Sequence, residues 1–235
     1  MEKLTRKQVM DIAASTGDAS GYDISGVNLN SLDLVAVNFT GSLFKGANLS
    51  KTNLSSSNFE GADFSGADLS SANLTGVSLK NANCEQCDLS FSTFVGTDFT
   101  KAILRGANFT NSKMSAAIFE HADLSGANLQ MSDAGMVRMA NTNLEKANLY
   151  AMSLIGADFS GANLQGANMH APDMNGANLV AADLRGADIL EVSLVAADLS
   201  QADLRGARLK YSDLTRVKHD GVKYDDDLKH IFARR

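Results

Sequence analysis

Several residue types are rare in this sequence, and each shortage excludes a class of protein. The 235 residues include no tryptophan, one proline and two cysteines, and 6% of them are aromatic. Two cysteines cannot form a disulfide framework, and so few rings exclude a core built mainly from aromatic packing. No window approaches eighteen consecutive apolar residues, and the amino-terminal MEKLTRKQVM is charged where a signal peptide needs an apolar run. We therefore expect a cytoplasmic protein with no membrane association.

Basic residues are also too few for one large class of partner. Lys and Arg number 21 against 27 Asp and Glu, which gives a formal net charge of −6. Proteins that bind nucleic acid directly need a basic surface for the phosphates. The charge therefore argues against direct nucleic-acid binding.

What the sequence has in excess is a repeat of five residues. Starting at Ile24 and stepping by five, 39 consecutive positions up to Leu214 are Leu, Phe, Ile or Met, with Cys84 and Ala134 as the only exceptions. We call these positions centres. A small residue, usually Ala, stands two residues before most centres, and Asn or Asp usually stands one residue before. Of the 19 glycines, 15 lie two residues after a centre.

A period of five fits neither a continuous helix nor a continuous strand. In an α-helix the centres would spread around the whole circumference, because five steps of about 100° leave neighbours about 140° apart. In a strand the centres would alternate between the two faces, because five is odd. All centres can face one interior only if the chain changes direction once in every pentad, where Gly, Asn, Asp and Ser tolerate turn geometry.

Phenylalanine placement indicates how many pentads make one coil. Nine centres are Phe, and five of these fall in one class when positions are sorted by twenties: Phe39, Phe59, Phe99, Phe119 and Phe159. Four pentads per coil would stack these rings along one inner wall. The sequence therefore predicts an all-β solenoid of about ten coils, roughly 48 Å long at ~4.8 Å per coil.

The phrases GADFS, GADLS, SANLT, GANLQ and GADLR resemble the repeats of the pentapeptide-repeat family and cover residues 22–216. The resemblance implies a right-handed quadrilateral parallel β-helix with the centre and the small residue pointing inward. It also implies that the protein binds other proteins: some members bind type II topoisomerases by imitating duplex DNA and confer resistance to gyrase poisons, whereas others act as scaffolds.

Both ends of the solenoid are expected to carry short α-helical caps, because an open end exposes unpaired backbone and apolar side chains. At residues 1–21, Thr5 and Gln8 have the spacing of a capping box and predict a helix over 5–16. At residues 217–235 the repeat fades, and an apolar stripe of Leu228, Ile231 and Phe232 follows three aspartates. This segment is either a second cap or the contact of a homodimer, which the family resemblance also allows.

No arrangement of residues predicts an enzyme, a metal site or a cofactor. Cys84 and Cys87 form a C-x-x-C pair, but they occupy a centre and a small position, so we expect both thiols to point into the core. The four histidines are far apart, and the many aspartates stand where the repeat puts them. We expect a protein without catalytic residues or cofactors.

Departures from the repeat are the places where specificity is expected. In MSDAGMVRM, residues 131–139, the small centre Ala134 predicts a kink or a repacked coil in which methionines fill the space. Stacked outward apolar residues in the later coils predict a protein contact surface. These residues are Tyr150, Ile155, Leu190, Val195 and Tyr211.

Two functions remain open: a scaffold or interaction module whose partner is another protein, and a DNA mimic that protects gyrase or topoisomerase IV. Residues 22–216 carry a net charge of −7, whereas duplex DNA of ~48 Å carries about 28 charges. Arg185 and Arg205 also interrupt the acidic walls. The charge density favours the interaction module.

Overall fold

The computed structural model describes residues 1–232, and the chain coils as a right-handed quadrilateral β-helix. Parallel bridges join residues that are twenty apart, from Lys3↔Asp23 near the amino terminus to Asp203↔Lys223 near the other end. Four pentads therefore complete one turn, which confirms the prediction from the phenylalanines. Bridges with the same spacing begin at Asp18 and extend to Lys218 and Lys223. The coil geometry therefore begins before residue 22 and continues past residue 216.

Each pentad contains one tight turn and one short extended segment. The residue two after each centre has φ near +60°, whether it is glycine, as at Gly61, or not, as at Ser71. The turn is closed by a hydrogen bond from the small residue to the preceding centre, for example Ala47 N to Phe44 O at 2.9 Å. Glycine is favoured at this corner because a Cβ costs energy at positive φ.

Only three segments of residues 1–232 are long enough to be regular strands. These are β1 Asn168–His170, β2 Asp188–Leu190 and β3 Arg208–Lys210, which form one parallel sheet in the order β1-β2-β3. The register places Met169 beside Ile189 and Ile189 beside Leu209. Elsewhere in residues 1–232, neighbouring coils are joined by isolated bridges, because a turn interrupts the extended backbone in every pentad.

The four walls of the coil are named here as faces 1 to 4. Their first centres are Ile24, Leu29, Leu34 and Phe39, and each face continues in steps of twenty. A corner column lies between two faces and consists of the residues two after the centres of the first face. Corner 2/3 thus runs from Ser31 to Tyr211, and corner 3/4 runs from Ala36 to Arg216.

The core is a stack of centres sealed by the small residues. All centres from Ile24 to Leu204 are at most 2% exposed. On face 4 the rings stack in pairs, Phe39 on Phe59 at 4.9 Å and Phe99 on Phe119 at 4.7 Å. Phe44 and Phe64 make a similar pair on face 1, at 4.7 Å. The columns of centres run along the axis without a break in register.

The amino-terminal segment folds against the first coil. Helix α1, Arg6–Ser15, follows Thr5 as its N-cap, and both bonds of the capping box between Thr5 and Gln8 are formed. Val9 on this helix is fully buried. The Arg6 guanidinium donates to the carbonyl oxygen of Asn28 at 2.8 Å, so the helix is also held to the coil edge by a polar contact.

The carboxyl-terminal segment forms a 3₁₀ turn, Asp226–Leu228, followed by the short helix α2, Lys229–Phe232. Leu228 and Phe232 are buried, at 4% and 5% exposure. The Phe232 ring lies 5.2 Å from the ring of Tyr224, which belongs to the last pentads of the coil. This segment therefore covers part of the end of the core.

The segment around Ala134 corrects one expectation. The bridges Lys113↔Asp133 and Asp133↔Ser153 keep the ladder in register, so the coil has no kink there. Met131 and Met136 are 52% and 68% exposed and point outward, and only Met139 is buried, at its own centre. The expectation that these methionines fill the space at Ala134 was wrong because both occupy corner positions, where the turn directs the side chain away from the core.

Candidate protein-binding surface

Charged side chains on faces 1 and 4 largely neutralise one another. Most ion pairs join neighbouring coils, for example Lys45 to Asp63 at 3.1 Å and Lys80 to Asp98 at 3.1 Å. Arg105 lies between Glu85, at 3.2 Å, and Asp123, at 3.4 Å. Within residues 1–232, faces 1, 2 and 4 carry all the ion pairs of the repeat, and face 3 carries none.

Exposed apolar side chains have the opposite distribution. All large hydrophobic residues of the repeat that are strongly exposed lie on face 3 or on its two corners, within the part of the chain that the structure describes. They are Val35 at 43%, Phe91 at 63%, Val95 at 40%, Met131 at 52%, Met136 at 68%, Ile155 at 50% and Tyr211 at 87%. Such a one-sided collection is typical of an interaction surface, whereas single exposed apolar residues scattered over a surface are ordinary.

The contact residues predicted from the sequence occupy two faces and the corner between them. Tyr150 and Leu190 follow centres of face 2, and both are half-buried. The Tyr150 ring packs edge-on against His170 at 5.5 Å, which covers part of it. Ile155 and Val195 follow centres of face 3, where Ile155 is exposed and Val195 half-buried, and Tyr211 stands on corner 2/3.

Sequence reasoning missed the other members of the exposed set. Phe91 and Met131 share corner 2/3 with Tyr211, and Val35 and Val95 share a column with Ile155. The two residues that follow each centre occupy the outward position and the corner of that face. Grouping these residues by their place in the twenty-residue coil separates the columns of each face, and this grouping would have revealed the missed residues. The surface is therefore wider, and begins earlier in the chain, than the later coils alone suggest.

At its middle, face 3 carries a floor of two small residues between larger apolar side chains. Along its outward column, Ser115 and Gly135 lie between Val95 and Ile155. Phe91 and Met131 project along one corner of this floor. Met136 projects along the opposite corner. Lys113 and Asp133 stand in the neighbouring column, in adjacent coils that are bridged to one another.

The groups that could carry chemistry are dispersed or buried. Within residues 1–232 no three His, Cys, Asp or Glu side chains come together as metal ligands. Cys84 and Cys87 are free, and both are 1% exposed. The side-chain hydrogen bond between Cys84 and Cys87, together with burial, raises the pKa of the Cys84 thiol well above its usual range. A buried thiol that resists ionisation is a poor nucleophile.

The residues predicted for a dimer contact are divided between core and surface. Leu228 and Phe232 are buried within the chain, and Ile231 is half-buried. Ile231 lines an open pocket of about 620 Å³ at the end of faces 2 and 3, together with Leu209, Tyr211, Leu214 and Leu228. Two of the three side chains predicted for the dimer contact are thus already buried within the chain itself.

Comparisons with known proteins place the chain in a family. HetL, a protein involved in heterocyst differentiation regulation in the cyanobacterium Nostoc sp. strain PCC 7120, is similar at 26% identity and a TM-score of 0.64, over 95% of this chain and 98% of HetL. QnrB1, a plasmid-mediated fluoroquinolone resistance protein studied after trypsin treatment, is 20% identical over 87% of this chain and 94% of its own, with a TM-score of 0.45.

No curated protein sequence matches the chain. Among the described residues, no helix has the length and apolar character needed to cross a membrane. The family model for pentapeptide repeats matches in eight copies, first at residues 33–70 and last at 191–218. Its matches cover well over half of the chain and coincide with the coils described above. The chain belongs to the pentapeptide-repeat family.

Proposed function

We propose that this protein is a non-catalytic interaction module or scaffold that binds another protein through face 3 and its corners. The observation that carries the proposal is the one-sided distribution of exposed apolar side chains, from Val35 to Tyr211, on face 3 and its corners. Within residues 1–232, face 3 itself carries no ion pair. Burying apolar surface drives most protein association, and the centre of an interface is depleted in charge. HetL, which is similar over nearly the whole chain, is described as a pentapeptide repeat protein involved in heterocyst differentiation regulation.

The contact residues of this proposal are the five predicted from the sequence together with the newly recognised ones. Ile155, Val195 and Tyr211 supply the carboxyl-terminal part of the surface, with Tyr150 and Leu190 at its border on face 2. Phe91, Val95, Met131 and Met136 supply the central part. The two free cysteines agree with the cytoplasm as the site of action.

Topoisomerase binding by DNA mimicry is the alternative that the family resemblance implied. The ion pairs weigh against it, because they neutralise carboxylates that a mimic of phosphates would display. Ten acidic residues within 22–216 have a Lys or Arg partner, among them Asp63, Asp98 and Asp123. A dimer contact through α2 also remains a proposal, and Ile231 is the side chain available for it.

A quantitative pull-down from the native cell tests the interaction surface. The test variant replaces Ile155, Val195 and Tyr211 by serine. A matched control replaces Ser125 and Gln165 by alanine, at outward positions of face 1 on the opposite side of the coil. We expect the serine variant to lose at least one protein that the native chain and the control recover. Equal recovery of every protein by all three forms would reject the surface.

A further inference from the structure

Face 3 is complementary to itself when two copies lie side by side in opposite directions. We propose that a second copy of this chain occupies the central part of face 3 in a two-fold symmetric, antiparallel dimer. This inference rests on the proposal that face 3 binds protein, and it names one occupant. The two-fold axis lies within the interface, at right angles to the solenoid, between the coil of Met114 and the coil of Ala134.

The charges on the face favour this register. The axis places Lys113 opposite Asp133 of the second copy, and the symmetry forms this contact twice. Neither residue takes part in an ion pair within residues 1–232. The same register places Lys51 opposite Glu191 on corner 2/3. Opposite charges at matching positions fix the orientation of an interface more than they strengthen it.

The sizes of the side chains agree with the charges. On corner 2/3, Phe91 comes opposite Ala151 and Met131 comes opposite Asn111 of the second copy. On corner 3/4, Met136 comes opposite Ala116. The exposed Phe91, Met131 and Met136 therefore each meet a smaller residue.

The outward column of face 3 follows the same rule. Its floor residues Ser115 and Gly135 face each other across the axis, and Val95 and Ile155 pair at either side of them. Apolar side chains thus meet apolar side chains, and small residues meet small residues. Such interdigitation is the condition for a dry contact.

A parallel arrangement of the two copies lacks these matches. An axis along the solenoid would bring each coil level with the same coil of the second copy. Because this axis also reverses the order of the columns, Lys113 would face Ser115 and Asp133 would face Gly135, so neither charge would meet its opposite. The antiparallel register is therefore the one that the face specifies.

The size of the face limits the strength of the dimer. Eight coils, from the centre Leu54 to the centre Leu194, face each other before Asp33 and Asp213 bring like charges together at the ends. With ~4.8 Å per coil and a wall about 10 Å wide, the contact buries roughly 800 Å² in total. This area is below that of standard stable interfaces. We therefore expect association at micromolar concentrations or above rather than a permanent dimer.

Sedimentation equilibrium of the full chain, from about 1 μM to several hundred μM, tests the proposal by charge reversal. Lys113→Asp and Asp133→Lys should each weaken self-association roughly tenfold or more, because each creates two like-charge contacts. An equimolar mixture of the two variants should regain association, because every contact is again between opposite charges. A chain that stays monomeric throughout, or a dimer unaffected by either reversal, would overturn the proposal.

Cross-linking provides a second readout that fixes the register. Ser115→Cys and Gly135→Cys, each made in a separate chain, should form a disulfide under mild oxidation when mixed, and neither should cross-link efficiently alone. Gly135 tolerates the change, because a Cβ there meets only ordinary contacts at 3.9 Å and the residue has no positive φ. The native cysteines are buried and do not compete.

Two controls separate this inference from the neighbouring proposals. Ile231→Ser should leave the association unchanged, and a dimer that it abolishes would belong to α2 instead. If the chain is monomeric while the serine variant of face 3 still loses its partner in the pull-down, the self-association is wrong and the proposed function stands. If the dimer forms and no other protein depends on face 3 in the pull-down, the self-association stands and the proposed function is wrong.

Discussion

Hydroxyl groups at the small position satisfy a recurring acceptor inside the coil. Thr52 donates to Leu29 O at 3.0 Å, Thr97 to Leu74 O at 2.6 Å, and Thr142 to Phe119 O at 2.7 Å, each to a residue 23 earlier in the chain. The Cys87 thiol makes the same bond, to Phe64 O at 2.8 Å. Cys87 therefore stands in for serine or threonine in a structural role, which explains the C-x-x-C without metal or redox chemistry.

Asparagine and aspartate before the centres serve two purposes at once. One side-chain oxygen accepts the backbone N–H two residues later, as Asp63 does from Ser65 at 3.0 Å. The asparagine amide donates to the equivalent residue of the preceding coil, as Asn83 does to Asp63 at 3.2 Å. The preference for these two residue types follows from these bonds, because both supply the acceptor and asparagine alone adds the donor.

The contrast between Phe99 and its neighbour Asp98 tests the assignment of inside and outside. Phe99→Ala should lower the free energy of unfolding by roughly 3 to 5 kcal/mol, because the ring is fully buried and stacks on Phe119 at 4.7 Å. Asp98→Asn should cost under about 0.5 kcal/mol. The asparagine keeps the acceptor for Thr100 N and loses an ion pair with the half-exposed Lys80.

Denaturant unfolding of the two variants provides the measurement, with the native chain as reference. Asp98→Asn serves as the matched control because it changes the adjacent residue of the same pentad. Losses of similar size in the two variants would mean that the inward and outward positions have been assigned wrongly.

At the scale of the element, two Asp–Arg pairs, each within one pentad, stand in successive coils near the end of face 1. Arg185 Nε lies 2.9 Å from Asp183 Oδ1, and Arg205 Nε lies 2.9 Å from Asp203 Oδ1 in the next coil. The hydrogen bond from Arg205, with a further contribution from its charge, lowers the pKa of Asp203 from 3.8 to about 2. The folded coil thus prefers the ionised form of this carboxyl group.

The pH dependence of stability follows from this shift. A carboxyl group with a lowered pKa in the folded state stabilises the fold above its unfolded pKa, which is 3.8, and the contribution is lost as the pH falls towards about 2. Asp203→Asn should therefore flatten the decline of the unfolding free energy between about pH 4 and pH 2. Chemical unfolding at several pH values measures this slope, and an unchanged slope would contradict the role of Asp203.

The elements were predictable to different degrees for physical reasons. The pentad and the four-sided coil follow from the sequence because every centre is constrained by burial, and the bridges between residues twenty apart confirm the period. Helix α1 follows from the spacing of Thr5 and Gln8, whose reciprocal bonds are local. The outward positions carry no such constraint. Whether Tyr150 is exposed depends on His170 in the next coil. Met131 points outward because it stands two residues after a centre, but how far it is exposed depends on its neighbours in other coils.

At the scale of the whole molecule, charge and shape distinguish the interaction module from the DNA mimic. The net charge of −7 over residues 22–216 gives about a quarter of the charge density of duplex DNA, and many of the acidic residues are paired with Lys or Arg. Purified protein should therefore neither compete with duplex DNA for gyrase nor alter supercoiling at micromolar concentrations. Supercoiling assays with gyrase and topoisomerase IV at two salt concentrations provide the measurement. Strong inhibition that weakens with salt would favour the mimic.

Site-specific photo-crosslinking in the native cell tests most directly whether the molecule acts through face 3. A photo-reactive amino acid replaces Ile155 in one variant and Gln165, which follows a centre of face 1, in the other. Both sites point outward and lie in adjacent coils, so only the face differs. The account predicts discrete cross-linked products from position 155, to a second copy or to another protein, and none of comparable yield from position 165. Equal products from the two positions, or none from position 155, would contradict it.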